Sequence, residues 1–406
     1  MTLRRLSNRE QYICYLLFIL EPILSWLHFP GYLGIVSSLY VAVGMCYVSA
    51  AEFRSILKSP PMVVWLVLTL YHCGNAIVKH VSGVNYIDVL HGMKIYFCIA
   101  IFVYWAQIDL VKTLKILYRC FCVYLIVAFL LCGGFGGGRL TGVVYATRIG
   151  QTAAVAFFLG TVLLFLRKKN AVSLFYYMII PFVVAMLSQT RNAIGMMALA
   201  TLGFFASTSV RKGLGVLRVL RLCMLLFFGM SFLAFIVYNS SIYQRSLSKK
   251  QQNANSYYIN NNSTGTFFDI IVGDRLIYYV EGWKFFKSSP MTGIGMWGFR
   301  QRYGGDYPLH SEYMVHLCEG GVIAFSLWMF FLFCCAKNIK KMKIEKGYRL
   351  LLMFGLIQFL FCGIYAREFF YEFFYPMIAI FIVDPLKVQK QFFCLEYEKK
   401  ELSKYN

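Results

Sequence analysis

Residues His310-Ser311-Glu312-Tyr313 place an imidazole and a carboxylate where a long hydrophilic stretch gives way to an apolar one. Ionisable groups at the mouth of a membrane-spanning segment are costly, and they usually serve a function. A neutral imidazole can accept a proton from a hydroxyl near physiological pH, and a nearby carboxylate can orient or polarise it. His310 and Glu312 are therefore the candidate catalytic residues. The alternative interpretation is a polar helix start, with Ser311 as its cap and His310 as an ordinary interfacial residue.

A metal site is the less favoured interpretation of the same segment. On a helix, Glu312 and His316 lie one turn apart and share a face. A third strong ligand is missing at a matching position, although Glu319 is a candidate. We therefore expect neither a metal nor another cofactor.

The sequence Gly293-x-Gly295-x-x-Gly298 has the spacing of a dinucleotide-binding loop. That interpretation requires a buried strand before the glycines and a helix after them in a cytosolic unit. A Ser-Ser-Pro-Met-Thr run within the hydrophilic stretch precedes the glycines here, so we reject the dinucleotide site. The glycines instead predict a tight turn or a close approach of the backbone to a ligand.

Arginines cluster around the same predicted surface. Alone, each is more often a snorkelling or salt-bridged residue. Together, beside a histidine, they could cradle a diphosphate, which needs several charge-assisted donors. The rival account is structural pairing with Asp274, Glu281 or Glu368. The candidate diphosphate-binding residues are Arg191, Arg275, Arg139 and Arg148, and the candidate substrate-binding residues are Arg300, Arg302, Tyr313 and Trp283.

The elements that must position these residues are apolar helices. Of 406 residues, 59% are hydrophobic and 14% are charged, whereas a soluble domain carries about 25% charge. Because a span needs about 20 apolar residues, we predict an all-α polytopic membrane protein with about twelve transmembrane helices. One large outward loop contains short helices. The predicted spans are 11–29, 31–50, 61–78, 90–107, 116–135, 149–166, 171–188, 191–208, 217–238, 313–336, 349–366 and 368–386.

The distribution of Lys and Arg predicts the orientation, because these residues are enriched on the cytoplasmic side. With the N-terminus inside, the inner segments carry 26 of the 40 Lys and Arg residues. Both termini then lie in the cytoplasm. The basic residues sit in short separated loops, so nucleic acid is not an expected partner. The predicted division is a membrane domain with spans one to nine (1–238), a periplasmic loop (239–312), a membrane domain with spans ten to twelve (313–386) and a cytoplasmic tail (387–406).

Taken in order, these pieces resemble the O-antigen ligase/polymerase family, whose members move lipid-linked glycans at the outer face of the bacterial inner membrane. The resemblance covers roughly residues 139–325, and the order of the pieces makes it more specific than any one of them. It rests on Gly138-Arg139 with Arg148, Ser188-Gln189-Thr190-Arg191, Arg275 with Glu281 and Trp283, Pro290 followed by the glycine motif and Phe299, His310-Ser311-Glu312-Tyr313, and Gly320-Gly321.

The resemblance implies a metal-independent inverting glycosyltransferase of the inner membrane. Family ligases usually show His-Asn after the glycine turn, whereas His310-Ser311-Glu312 looks more like the polysaccharide polymerases. The implied donor is a glycan on undecaprenyl diphosphate, and the implied acceptor is a lipid-linked repeat unit. His310 would activate the acceptor hydroxyl, Glu312 would orient His310 or contact the sugar, and the arginines would stabilise the leaving diphosphate. Membrane lipids and a chain-length regulator are the other expected partners.

Three alternatives stay open at this point. A ligase that joins the polymer to lipid A core would use the same chemistry. A flippase for the lipid-linked repeat should show two related halves and cationic residues in a central cavity, whereas this chain concentrates its polar residues on one face. A purely structural membrane protein is the least specific alternative, and the composition of the loop argues against it.

Overall fold

The computed structural model of the protein describes residues 6–13, 15–17, 32–79, 86–130, 134–136, 139–141, 146–167, 171–188, 190–213, 276–303, 309, 311–342, 345–364, 374–389 and 391. The described part is helical except for one two-stranded hairpin. Its helices are α1 (Tyr32–Val48), α2 (Ala51–Leu57), α3 (Pro60–Val78), α4 (Tyr86–Ile108), α5 (Leu110–Leu130), α6 (Ala146–Leu166), α7 (Ala171–Ser188), α8 (Arg191–Arg211), α9 (Leu276–Ser288), α10 (Gly298–Tyr303), α11 (Glu312–Met314), α12 (Gly320–Lys341), α13 (Lys346–Gly363) and α14 (Tyr375–Ile382).

Local sequence explains several of the helix ends. Helix α3 begins with a proline pair, which suits the first helical positions because their amides need no partner within the helix. Helix α12 ends with Lys340 and Lys341, whose charges complement its negative end. The glycine-rich run at 133–138 predicts the end of the fifth span, either as a helix stop or as a re-entrant segment. In the structure α5 ends at Leu130, and the antiparallel strands β1 (Gly134–Gly136) and β2 (Arg139–Thr141) come next in the described part.

The protein is a multi-pass membrane protein. In the described part, six helices are long and apolar enough to span a membrane, or seven if α1 and α2, between which the chain bends by 119°, form one broken span. The predicted number of about twelve is therefore not confirmed. Predicted span 217–238 lies outside the described residues, as does most of 11–29. Within predicted span 368–386, the described helix α14 covers only eight residues.

Helices α6, α8 and α13 form one tightly packed group. Gly195 and Gly203 on α8 let the rings of Phe361 and Phe354 on α13 approach closely. At one end of the pair, Arg211 forms an ion pair with Glu345. At the other end, the Asn192 side-chain amide lies 3.9 Å from the Cys362 sulfur. Helices α8 and α13 are therefore antiparallel, and Arg191 lies at the end of the bundle opposite to Arg211.

Helix α3 packs antiparallel against the long rod formed by α11, a π-helical turn at Val315–Glu319, and α12. Trp65 near the start of α3 contacts Phe331 in α12, with ring centroids 4.6 Å apart. The C-terminal part of α3 consequently lies beside the π-helical turn. The rod is broken directly after that turn, at Gly321, whose φ is 68° and ψ −168°.

The segment Pro290–Gly298, which we name the glycine turn, fills this break. Amides of Ile294 and Gly295 donate to the carbonyls of Cys318 and Glu319, both at 2.9 Å. In return, the amide of Val322 donates to the Pro290 carbonyl at 2.8 Å. Backbone groups that lose their helical partners in an apolar region must find others, and the glycine turn supplies them.

Candidate functional site

Glu312, His316 and His72 form a continuous chain of polar contacts at this junction. The Glu312 Oε1 atom lies 2.9 Å from His316 Nε2, a close contact between a carboxylate and an imidazole nitrogen. The other ring nitrogen of His316, Nδ1, lies 3.0 Å from Nε2 of His72 on α3. All three residues are at most 2% exposed. Two imidazoles and a carboxylate thus share a water-excluded volume, where electrostatic interactions are stronger than in water.

Aromatic rings fix the central imidazole of this chain. The indole of Trp328 stacks on His316 with centroids 5.1 Å apart. Tyr313 stands edge-on to the same indole at 5.0 Å, and its hydroxyl donates to the Leu360 carbonyl at 3.0 Å. The His316 ring therefore has a defined plane, and the helical turn that carries Glu312 is tied to the end of α13.

Tyr71 and Asn75 brace the junction from α3. The Tyr71 hydroxyl donates to the Gly320 carbonyl at 2.9 Å. The Asn75 amide donates to the Thr292 carbonyl at 2.6 Å and to the Glu319 carbonyl at 3.1 Å. These contacts connect α3 to the glycine turn and to the π-helical turn at once.

Both predicted catalytic residues fall in this segment, but only one can be placed. His310 lies outside the described residues. Glu312 opens α11, buried and in contact with His316 as described above. Ser311 is the N-cap of the helix, and its side chain accepts from the Met314 amide at 3.5 Å, which is the role that the alternative interpretation, a polar helix start, gives to this residue.

Of the predicted diphosphate-binding arginines, three are placed at least by their backbones. Arg191 is the first residue of α8, and half-buried Arg148 lies in the first turn of α6. A close approach between Gly150 of α6 and the side chains of Ser188 and Thr190 brings these two helix starts to the same level. Strand β2, which begins with Arg139, packs against α6 and α7. The side chains of Arg139 and Arg191 lie outside the described part, and so does the whole of Arg275.

This end of the bundle is also the end that carries Tyr313. Asn192, next to Arg191, contacts Cys362, and Tyr313 donates to Leu360. The structure therefore brings the start of α8 and Tyr313 to neighbouring residues of α13.

The predicted substrate-binding residues are more scattered. Trp283 on α9 is 49% exposed and packs on Phe286. Arg302 on α10 is exposed, and the side chain of Arg300 lies outside the described part. Glu281, one of the acidic residues considered as a partner for the arginines, lies 2.7 Å from the Lys284 ammonium.

Sequence reasoning missed His72 entirely. It lies in a predicted span, some 240 residues before His316, and no short-range pattern joins the two. A signal was nevertheless present, because Tyr71, His72 and Asn75 are polar residues in an otherwise apolar segment. Intramembrane polar residues mark functional or packing sites. Within the described part of the chain, no group of three or more His, Cys, Asp and Glu residues is arranged to hold a metal ion.

Comparison with known proteins identifies the region that contains most of this site. Residues 176–329 match the family model Wzy_C, described as O-antigen ligase. The match includes Arg191, Arg275, the glycine turn and His310–Tyr313, but it begins after Arg139 and Arg148 and excludes His72. No curated protein matches the chain. Members of the matching family are glycan-transferring membrane enzymes. The resemblance seen in the sequence is thus confirmed over this stretch: the chain carries an O-antigen ligase (Wzy_C) domain at residues 176–329.

Proposed function

We propose that this protein is a surface-polysaccharide polymerase of the O-antigen type. It transfers a growing glycan from undecaprenyl diphosphate to a lipid-linked repeat unit at the periplasmic face of the inner membrane. The observation that carries the proposal is the buried Glu312–His316 contact, which lies inside the family-matched stretch and directly after His310. A buried carboxylate held by an imidazole at the end of a membrane bundle is costly for a purely structural protein.

The proposed reaction is a single displacement at the anomeric carbon of the donor. His310 accepts the proton of the acceptor hydroxyl, and the hydroxyl oxygen attacks the anomeric carbon to form the new glycosidic bond. The bond between that carbon and the diphosphate breaks at the same time, so the configuration at the carbon is inverted. Glu312 orients His310 or contacts the sugar. Fixed positive charge at Arg191 and Arg275, aided by Arg139 and Arg148, stabilises the departing diphosphate. This route needs no metal and no nucleotide.

A ligase that transfers the finished polymer to lipid A core is the second candidate. The description of the matching family favours it, whereas His310-Ser311-Glu312 in place of His-Asn favours the polymerase. An assay in which the purified protein receives a polymer donor together with both acceptors, the lipid-linked repeat unit and lipid A core, distinguishes the polymerase from the ligase. A polymerase elongates the lipid-linked repeat unit, and a ligase modifies lipid A core. Product on lipid A core alone would contradict the polymerase.

We expect Arg191→Ala, Arg275→Ala and His310→Ala each to abolish chain growth on lipid-linked repeat units, because each removes a charge or base that the displacement requires. The loss should be on the order of a hundredfold or more for each. Arg54→Ala is the matched control, because it removes an exposed guanidinium from a segment assigned to the cytoplasmic side. Rates in the three variants equal to that of Arg54→Ala would refute the diphosphate cradle and the base assignment.

A further inference from the structure

The site is built from two separate parts of the sequence. Glu312 and His316 belong to the family-matched stretch, whereas His72 belongs to α3, more than 100 residues before that stretch begins. The two parts meet through the 3.0 Å contact between His72 Nε2 and His316 Nδ1. The ring of His72 also lies against Gly320, where an added methyl group would come within 2.8 Å of it. The ring therefore occupies the space that a side chain at position 320 would fill.

The position of the Glu312 carboxylate favours one direction for the hydrogen bond between the two imidazoles. If His316 presents its N–H at Nε2 to the Glu312 carboxylate, its Nδ1 is an acceptor in the neutral ring. His72 must then donate from Nε2. With this arrangement the two imidazoles and the carboxylate form one polarised chain, in which the negative charge of Glu312 favours the proton on Nε2 of His316, and Nδ1 of His316 in turn favours the proton on Nε2 of His72.

We propose that His72 is a positioning residue of the glycan-transfer site, which acts by fixing the tautomer and orientation of His316 and, through it, the Glu312 carboxylate. The proposal rests on the proposed function. The same logic applies wherever a histidine is held by a partner at its second nitrogen, because that partner decides which nitrogen faces the reacting group. The N-terminal helices are then part of the site rather than a generic anchor.

Helix packing alone is a weaker explanation of this contact. Tyr71 and Asn75 already bond α3 to backbone carbonyls of the glycine turn and the π-helical turn. Trp65 packs on Phe331 about two helical turns away. His72 differs from these residues because it contacts the side chain of His316, which in turn contacts Glu312.

The geometry of the contact gives a discriminating pair of substitutions. Gln carries its amide nitrogen at about the reach of Nε2 in a histidine, whereas Asn reaches only as far as Nδ1. His72→Gln can therefore still donate to His316, and His72→Asn cannot. Thr69→Val is the matched control, because Thr69 is a buried polar residue on the same helix that bonds within it, to the Trp65 carbonyl.

The experiment measures kcat and KM for chain growth on lipid-linked repeat units, using the monodisperse fraction of each full-length variant. We expect His72→Gln to keep kcat within about threefold and His72→Asn to lower it on the order of tenfold, with KM changed less than kcat. Should His72→Asn give no folded fraction, His72→Phe, which fills the space without donating, takes its place. If His72→Asn, or His72→Phe in its place, had the same kcat as His72→Gln and Thr69→Val, the inference would be overturned.

Failure of this inference differs from failure of the proposed function. If His310→Ala and Arg191→Ala are inactive while His72→Asn is as fast as wild type, His72 is a packing residue and the proposed function stands. If the wild-type protein extends no lipid-linked glycan, the proposed function itself is wrong, and the positioning role falls with it.

Discussion

Glu312 illustrates how a single buried carboxylate constrains the interpretation of a site. It is 1% exposed, and placing a charge in such surroundings costs several kcal/mol unless a partner and further hydrogen bonds offset it. His316 supplies the partner, Trp328 fixes the ring of that partner, and His72 satisfies its second nitrogen. An apolar residue would serve packing at lower cost, which is why we assign the chain of contacts to function.

At the scale of single residues, the variants Ser311→Ala and Glu312→Gln distinguish a catalytic segment from a polar helix start. Ser311→Ala removes the cap and should lower the unfolding free energy by about 1 kcal/mol or less, with kcat within about threefold of wild type. Glu312→Gln keeps the side-chain volume but removes the charge, and should lower kcat on the order of tenfold to a hundredfold. Thermal unfolding in detergent and the chain-growth assay measure the two effects. If both variants were less stable than wild type but kept its kcat, the segment would serve only as a helix start.

At the scale of elements, the glycine turn and the broken rod form one unit. Gly293 has φ = 67° and Gly321 has φ = 68°. A methyl group on Gly293 would meet the Glu319 carbonyl carbon at 2.4 Å, and one on Gly321 would meet the Met291 carbonyl oxygen at 2.3 Å. The two backbones can hydrogen-bond only because neither residue has a side chain. The spacing that resembles a dinucleotide loop therefore serves contact between protein segments.

Gly293→Ala and Gly321→Ala should each destabilise the protein by about 2 kcal/mol or more, because each adds left-handed strain to a backbone clash. Both should also reduce chain growth, since the turn supports the π-helical segment that carries His316. Gly74→Ala is the control: Gly74 lies on α3, nothing stands within 4 Å of its added methyl group, and alanine favours the helix. Fluorescence-detected thermal melts compare the three. Similar melts for all three variants would contradict the close approach.

On the scale of the whole molecule, the two ends of the bundle differ. At one end, Arg211 pairs with Glu345, donates to the Phe165 carbonyl and lies over the Phe165 ring. At the other, the starts of α6 and α8 lie at the same end of α13 as the segment that carries Glu312 and Tyr313. Positive charge at the first end suits a cytoplasmic surface, and we propose that the second end faces the periplasm, with both termini in the cytoplasm.

Reporter fusions test this orientation. Fusions after Lys212 and after Met342 should both read as cytoplasmic, because Arg211 and Glu345 are in contact, and a fusion after Arg302 should read as periplasmic. Alkaline phosphatase is active only in the periplasm, whereas green fluorescent protein is fluorescent only in the cytoplasm. Each fusion site is tested with both reporters, so one of the two should be active at every site. Opposite readings at Lys212 and Met342 would contradict the ion pair, and a reversal of all three would contradict the proposed orientation.

The sequence by itself determined the helical, multi-pass character of the chain, most of the helix positions and the resemblance to the O-antigen ligase family that is confirmed over residues 176–329. These follow from local properties. An apolar run of span length, a proline pair or a serine cap acts within a few residues. The observed helix boundaries differ from the predicted span boundaries where a helix extends beyond the apolar run. Helix α5, for example, begins at Leu110 and includes Lys112 and Lys115 before the predicted start of its span at 116.

Only the tertiary structure decided which residues meet. The contact of His72 with His316 joins helices that no periodicity relates, and it depends on the antiparallel packing of α3 against the broken rod. The role of the glycine motif was equally undetermined, because a positive φ allows a turn but does not say whether a ligand or another backbone occupies the space. Contacts between distant segments depend on the packing of the whole bundle, and that information is not present in any short stretch of sequence.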